Sequence, residues 1–438
     1  MRGLPVAKDK PIVGIDIGSS KITTLIANAS KEGQLTVVGV STVPSKGLRK
    51  GQVVDIDEAV SGIAVGVEAA ERMAGYSISS AFISVGGAHI SSVNSRGVVA
   101  VSGTENEIGP DDVRRVTEAA RAISIPSSRE IVHVIPRDFI VDSQEGIKDP
   151  IGMTGVRLEV ETHIISGAAT SMRNLAKCIQ QVGVDVENLV FSGVAAAEST
   201  LTDTEKELGV VLVDIGGGTT DISIFVDGSI AHSVVLPIGG KNITNDLAIG
   251  LRASLDSAEK IKLELSKKPK KIVIHEDVKE EKSAEEVKEE KKKEDLLDIS
   301  KLGLTEELGP LSKKTLVDGI IKPRLTEIFT LIGMEIKRSG FAGLLPSGIV
   351  VTGGGAETIG VAEVGKDVLR MSVRIASPSG VTGLIDEISS PAYSTSVGLL
   401  LYGEKLGPSA SSGLSIIRGW QVKNVVMKAV DWFKSFLP

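Results

Sequence analysis

The chain has a single cysteine, Cys178, so neither an internal disulfide nor a metal site built on cysteines is open to it, and a reducing compartment is its simplest home. A buried structural role is expected for that thiol. Nowhere does the sequence hold about 18 predominantly apolar residues without Gly, Pro or polar interruption, and no membrane-spanning helix is expected. No apolar run follows Arg2 between Met1 and Lys10, so no secretory leader is expected either. Positive charge is not in excess: the formal net charge is -7 and the pI is near 5.5. That balance gives no overall attraction to nucleic acid or anionic lipid, and any such binding has to come from a local basic patch.

What is present is enough for two or three domains with ordinary cores, since the 438 residues are 42% hydrophobic. Short β-branched runs at Ile12–Ile17, Ala81–Val85, Val210–Ile215 and Ile349–Thr352 read as strands that end in glycine, and they alternate with helix-like segments. Such alternation predicts an α/β architecture. Two of the strands carry nearly the same text: Val13-Gly-Ile-Asp-Ile-Gly-Ser-Ser-Lys21 and Val211-Leu-Val-Asp-Ile-Gly-Gly-Gly-Thr219. Each is followed by a second alternating run, Ile22–Ala27 and Thr220–Val226. The aspartates of the two copies are 198 positions apart (214 minus 16), too far for a solenoid repeat and suited to two duplicated lobes with a cleft between them.

The repeated text carries chemistry. A strand that delivers Asp16, Gly18, Ser19, Ser20 and Lys21 to a tight turn leaves backbone N–H groups unpaired, and glycine permits the close approach and positive φ that a phosphate asks for. Lys21 adds a point charge. The second copy, Asp214 followed by Gly216, Gly217, Gly218, Thr219 and Thr220, adds two hydroxyls as donors. Asp16 and Asp214 then offer hard carboxylate oxygens to Mg²⁺, through its waters. Either turn alone reads better as an ordinary glycine hairpin; it is their near-identity in one chain that reverses this and favours a polyphosphate clamp. A third turn at Gly353, Gly354, Gly355 and Ala356 would let an adenosine lie against bare backbone, and a helix beginning near Ser257 places Glu259 and Lys262 on one face, where an ordinary surface ion pair is the competing reading.

Between Leu265 and Ser300 the sequence becomes low in complexity, from Lys267-Lys-Pro-Lys-Lys271 to Glu289-Glu-Lys-Lys-Lys293, which predicts a solvated excursion. A Gly/Ser/Pro stretch from Glu404 to Gly413 reads as a tether. Beyond it, Val422, Val425, Val426, Ala429, Val430, Trp432, Phe433, Phe436 and Leu437 fall on an arc of about 160° of a helical wheel. Lys423, Lys428 and Lys434 lie on the opposite side, with Met427 out of pattern. An apolar arc bearing Trp and Phe and backed by lysines suits a helix lying in a membrane interface, the alternative being a helix docked on the body or on a partner.

With these motifs in order, the chain resembles the actin/chaperone/sugar-kinase superfamily of ATP-binding proteins. Within it the chain is similar to the FtsA family of bacterial cell-division proteins over nearly its whole length. Further matching text lies at Ile83-Ser-Val-Gly-Gly-Ala-His89, from Gly183 to Val190, at Leu236-Pro-Ile-Gly-Gly240 and at Ile320-Ile-Lys-Pro-Arg324. The resemblance implies an actin-like two-lobed ATPase fold with an inserted subdomain of strand-helix-strand-strand plan and a C-terminal amphipathic helix. It implies subdomain 1A at 11–86 and 380–403, the inserted 1C at 87–162, 2A at 163–240 and 318–379, and 2B at 241–317 with the charged excursion 267–300. A linker at 404–415 and a membrane-targeting helix at 416–438 follow. By matching motif, Gly239 and Gly240 belong to the nucleotide floor, and Glu259 and Lys262 flank the base or ribose of ATP.

The same resemblance implies filament formation, attachment to the cytoplasmic face of the membrane at the division septum, and binding of the FtsZ C-terminal tail, with Lys313 and Lys314 as candidate contacts. Other division proteins are possible partners, and nucleic acid is not. One departure stands out. Where chaperone relatives carry a glutamate and actin a glutamine to organise the attacking water, this chain has Ser192-Gly193 before Val194-Ala-Ala-Ala197, so slow or absent hydrolysis is expected. No carboxylate stands out as the base of a sugar kinase. The alternative kept open is a pilus-assembly or chaperone-type ATPase of the same fold whose terminal helix docks on a protein.

Overall fold

In the computed structural model, which describes residues 11–30, 34–123, 125–267 and 295–406, every residue of the strand Val210–Ile215 is buried, the mark of a strand covered on both faces. The chain divides into two compact units. One comprises Leu201–Ala376, the other the residues up to Thr200 together with those from Ser377 onward.

In the unit Leu201–Ala376 the strand order is Val373–Ile375, Ile349–Thr352, Val210–Ile215, Thr220–Val226, Ser229–Leu236. The first three run parallel and the last two return as antiparallel hairpins. The helix Lys322–Arg338 buries Leu325, Ile328, Phe329, Ile332 and Ile336, a spacing of three to four that sets one stripe of the helix into the core. That stripe joins Val211, Val213, Ile222, Ile224, Ile349 and Val351 in one apolar cluster.

The other unit repeats this plan. Its sheet runs Asp185–Phe191, Ser80–Val85, Ile12–Ile17, Lys21–Ala29, Leu35–Pro44, again three parallel strands and then two antiparallel returns, with Val381–Gly383 added at the edge. The registers coincide as well. Gly14 pairs with Leu25 and Asp16 with Thr23, while Leu212 pairs with Ser223 and Asp214 with Asp221; adding 198 to each member of the first pairs gives the second. Asp55 caps the helix Ile56–Ala74 by accepting the N–H of Glu58 at 3.0 Å, and the helix turns Ala59, Ile63, Val67 and Ala70 inward.

The insertion is strand Ser91–Ala100, helix Pro110–Arg121, then strands Arg129–Val141, Gln144–Ile147 and Arg157–Ala168. Val116 and Ala120 of its helix pack on Phe139, Val141, Leu158 and Val160. Arg129 ties its base: Nη2 donates to the carbonyls of His89 at 3.0 Å and Ser166 at 2.8 Å, and Nε to the Ser166 hydroxyl at 3.1 Å.

Three boundaries differ from expectation. Residues 163–200 belong with the first unit rather than opening the second lobe, because Asp185–Phe191 pairs with Ser80–Val85 in that unit's sheet. The charged excursion ends before Ser300, since Leu296–Leu297 pairs with Leu311–Ser312 and Leu297 enters the core. The helix Ser394–Leu406 runs through the start of the expected linker, with Lys405 paired to Glu198. Residues 268–294 and the proposed membrane helix lie outside the described residues. No described helix is long and apolar enough to cross a membrane.

Burial of His133 should make the stability of the first unit depend on pH. It is buried, its Nε2 accepts the N–H of Phe191 at 2.9 Å, and its ring meets Tyr402 edge-on. Burial holds its pKa at about 4, below the usual 6.5. The unfolded chain therefore takes up the proton first, and stability present above about pH 6.5 is lost as pH falls toward 4. The gap bounds the effect at roughly 3 kcal/mol. Urea midpoints should fall over that window in the native protein and stay flatter in His133→Gln, which keeps an uncharged acceptor. Parallel profiles for the two proteins would show that the imidazole is not responsible.

Candidate functional site

The two repeated turns close in the same way. Gly18 N–H donates to the carbonyl of Lys21 at 3.0 Å, and Gly216 N–H to that of Thr219 at 2.8 Å. In the unit Leu201–Ala376, the carbonyls of Gly216 and Gly217 accept the N–H groups of Gly240 at 2.9 Å and Lys241 at 2.8 Å. The start of the helix Gly240–Leu251 is thereby laid against the turn. A Cβ on Gly239 would stand 2.5 Å from the Gly216 carbonyl oxygen, and one on Gly355 would stand 2.3 Å from Ile215 Cγ2. Gly353 has φ +83°, and a Cβ there would meet Asp214 Oδ1 at 2.1 Å. Only bare backbone allows these segments to converge.

Glu259 and Lys262 border the same backbone. Lys262 Nζ donates to Glu259 Oε2 at 2.8 Å, to Thr244 Oγ1 at 2.9 Å and to the Gly240 carbonyl at 3.4 Å. Lys262 is only 8% exposed, so this is a built network rather than the surface ion pair that the sequence also allowed. Thr244, one turn after Gly240, belongs to it and was not singled out from the sequence.

In the first unit, Asp16 Oδ1 accepts the Ser84 hydroxyl at 2.7 Å and Oδ2 that of Ser396 at 3.3 Å. Burial raises the Asp16 pKa, and the two hydroxyls and the charge of Lys21 offset this in part. Lys21 Nζ lies 3.3 Å over the Tyr393 ring. Ser19 Oγ accepts the N–H of Gly51 at 2.9 Å, while Ser20 is exposed.

These turns suit a nucleotide with Mg²⁺. Mg²⁺ commonly takes one or two carboxylates, with phosphate oxygens and waters filling the rest, and Asp16 and Asp214 are such carboxylates. Among the described residues no cluster of three or more His, Cys, Asp or Glu is arranged for a metal. The Gly216, Gly239, Gly353 and Gly355 backbone provides the cradle that a Cβ would fill.

Known proteins resemble this chain in sequence and in fold. A family model described as "SHS2 domain inserted in FTSA" covers residues 87–166, and one described as "Cell division protein FtsA" covers 211–398. The "Cell division protein FtsA" of Pseudomonas aeruginosa is 41% identical over 398 residues, spanning 91% of this chain and 90% of its own. The chain belongs to the FtsA family. Relatives of the same name from Bacillus subtilis and Escherichia coli K12 are 37% and 34% identical, over 89% and 90% of this chain and 82% and 91% of theirs. The fold is actin-like, with the FtsA insertion in place. Among solved structures, the "PilM-PilN type IV pilus biogenesis complex" contains a chain similar at TM-score 0.61 and 15% identity, covering 90% of this chain and 98% of that one. The "ethanolamine utilization protein EutJ" of Carboxydothermus hydrogenoformans gives TM-score 0.50 and 16% identity, with 91% of each covered. At these identities the likeness concerns the fold alone.

Two site expectations for this FtsA-family chain are corrected. Thr220 is fully buried and its hydroxyl donates to the carbonyl of Ile238 at 2.8 Å, so it pins the turn to the neighbouring strand's end instead of offering a donor. The turn glycines do not have positive φ: Gly18, Gly216, Gly217 and Gly218 all lie outside that region, and Gly353 alone of the glycines singled out for the site is in it. The turns use glycine for space, because a Cβ at Gly18 or Gly216 would stand 3.0 or 3.1 Å from the carbonyl closing the turn.

Gly355→Ala should lower stability by about 1–3 kcal/mol through overpacking against Ile215. It should shift the urea midpoint without nucleotide at constant m-value. An unchanged midpoint would mean that the third turn yields freely.

Proposed function

We propose that this protein binds ATP with Mg²⁺, polymerises on the cytoplasmic face of the membrane at the division septum, and attaches the FtsZ C-terminal tail there. The observation that carries the nucleotide reading is the hairpin repeated at 198 positions' distance (214 minus 16) with the same register and the same turn bond. Asp16 to Lys21 and Asp214 to Thr219 are the phosphate turns in this reading. Gly353 to Ala356 receives the adenosine, and Glu259 and Lys262 flank the base or ribose. Asp16 and Asp214 hold Mg²⁺ through its waters. Membership of a family named for cell division supports the septal role. The pilus-type alternative rests on fold likeness at 15% identity and has no observation favouring it.

Turnover is slow in this reading. Ser192 spends its hydroxyl on the carbonyl of Val85 at 3.3 Å, and neither it nor Gly193 supplies the amide or carboxylate that would orient water. ATP with Mg²⁺ should raise the melting temperature of the native protein and raise it less in Asp214→Asn. Steady-state hydrolysis should stay below about 1 s⁻¹. Equal, negligible shifts in both proteins would remove the nucleotide reading, and faster hydrolysis would remove the slow-turnover one.

Membrane attachment rests on the Val422–Leu437 pattern in the sequence and tail binding on the family resemblance. Lys313 and Lys314 are exposed at the start of the helix Lys313–Leu316, beside Asp295, and are the candidate contacts for an acidic peptide. A single such helix binds lipid reversibly, whereas a filament that presents many gains avidity of about 10² or more. Pelleting with anionic liposomes should be lost in protein ending at Ser412. Reversing both lysines should release an FtsZ tail peptide while leaving pelleting intact. Full pelleting of the truncated protein would overturn the anchor, and unchanged tail binding would clear the lysines of any role.

A further inference from the structure

The aspartate at the head of the first hairpin is held by two serine hydroxyls. Ser84 donates to one oxygen of Asp16 at 2.7 Å and Ser396 to the other at 3.3 Å. Ser84 is 3% exposed and Ser396 fully buried, so the protein and not solvent supplies these hydroxyls. Ser84 is itself fixed, because its Oγ accepts the N–H of Ile17 at 2.9 Å. The parallel pairs Gly14 with Phe82 and Ile15 with Ile83 bring it there as the next residue along its strand. Ser396 arrives from the first turn of the helix Ser394–Leu406. Two strands and a helix thus converge on one carboxylate.

The second copy has a hydroxyl residue at the same ladder position. Thr352 stands opposite Asp214 in the parallel register, and its Oγ1 donates to the carbonyl of Ala376 at 3.0 Å. A hydroxyl residue beside the aspartate is thus common to both hairpins.

We propose that Ser84 and Ser396 are positioning residues that fix the plane of the Asp16 carboxylate toward the hydrated Mg²⁺ of bound ATP. This rests on the ATP reading above. A carboxylate oxygen has about two acceptor sites, so one hydroxyl on each oxygen fixes the group's rotation and leaves the remaining sites for metal-bound water. Ser84, with the shorter bond and its own anchor, carries more of the effect than Ser396. The role is specific to the metal-bound nucleotide, because without Mg²⁺ the orientation of Asp16 has nothing to act on.

The test is titration calorimetry with ATP, in Mg²⁺ and in excess EDTA, on the full-length chain. Ser84→Ala should weaken binding of Mg²⁺-ATP by about tenfold, the effect of removing one hydrogen bond to a charged group, and leave the affinity in EDTA unchanged. Ser396→Ala should act in the same direction and less strongly. Ser84→Thr should restore binding, since threonine is the residue that the second copy places at this position. If Ser84→Ala does not fold, the Ser396→Ala comparison in the two buffers decides. Wild-type Mg²⁺-ATP affinity in folded Ser84→Ala, or equal losses with and without Mg²⁺, would overturn the positioning role while leaving ATP binding intact. No ATP binding by the native protein in either buffer would overturn both readings together.

Discussion

The carbonyl oxygen of Gly216 accepts the N–H of Gly240 at 2.9 Å and leaves no room for a Cβ on Gly239. That contact sets the position of the helix Gly240–Leu251, and with it Thr244, which receives Lys262 from the neighbouring helix Leu255–Ser266. Lys262 brings Glu259 with it. A side chain at residue 239 would push the helix start away from the turn, and the network of Lys262, Glu259 and Thr244 would lose its shared geometry. The candidate site of this unit is therefore organised by backbone approach first and by side-chain chemistry second.

Much of this was legible in the sequence. The strand runs at Ile12, Val210 and Ile349 were read with their observed limits, because β-branched residues between glycines leave little else for the chain to do. The repeated Asp-Ile-Gly text marked both turns, and a shared register follows when two hairpins bury the same alternation. What the sequence could not indicate was the direction of each hydroxyl. Thr219 and Thr220 are adjacent and chemically alike, yet the pleat sends Thr220 into the core. Ser84 and Ser396 are 312 residues apart (396 minus 84), and no spacing rule would have joined them to Asp16. Strand Asp185–Phe191 was placed in the wrong unit because its text gives no clue to which parallel neighbour it will take.

The insertion is built from a continuation of the body's own backbone. Its two long strands, Arg129–Val141 and Arg157–Ala168, stay paired from Leu158 opposite Val141 down to Ala168 opposite Arg129. At about 3.3 Å per residue the ribbon is roughly 40 Å long. At its base, Arg129 fastens both strands to the segment at His89.

Mechanically, that ribbon is a lever and not a tethered bead. Paired backbone runs from Val141 back to Arg129, and along it His133 is joined to the edge strand by the N–H of Phe191. The ladder is irregular at two places, between Glu161 and Thr162 and between Ile165 and Ser166, and an extra residue of this kind lets a strand bend. One irregularity thus lies out along the ribbon and the other beside Ser166, the residue that Arg129 holds. The ribbon's base therefore combines a break in the ladder with a side-chain clamp, next to the sheet that carries Asp16.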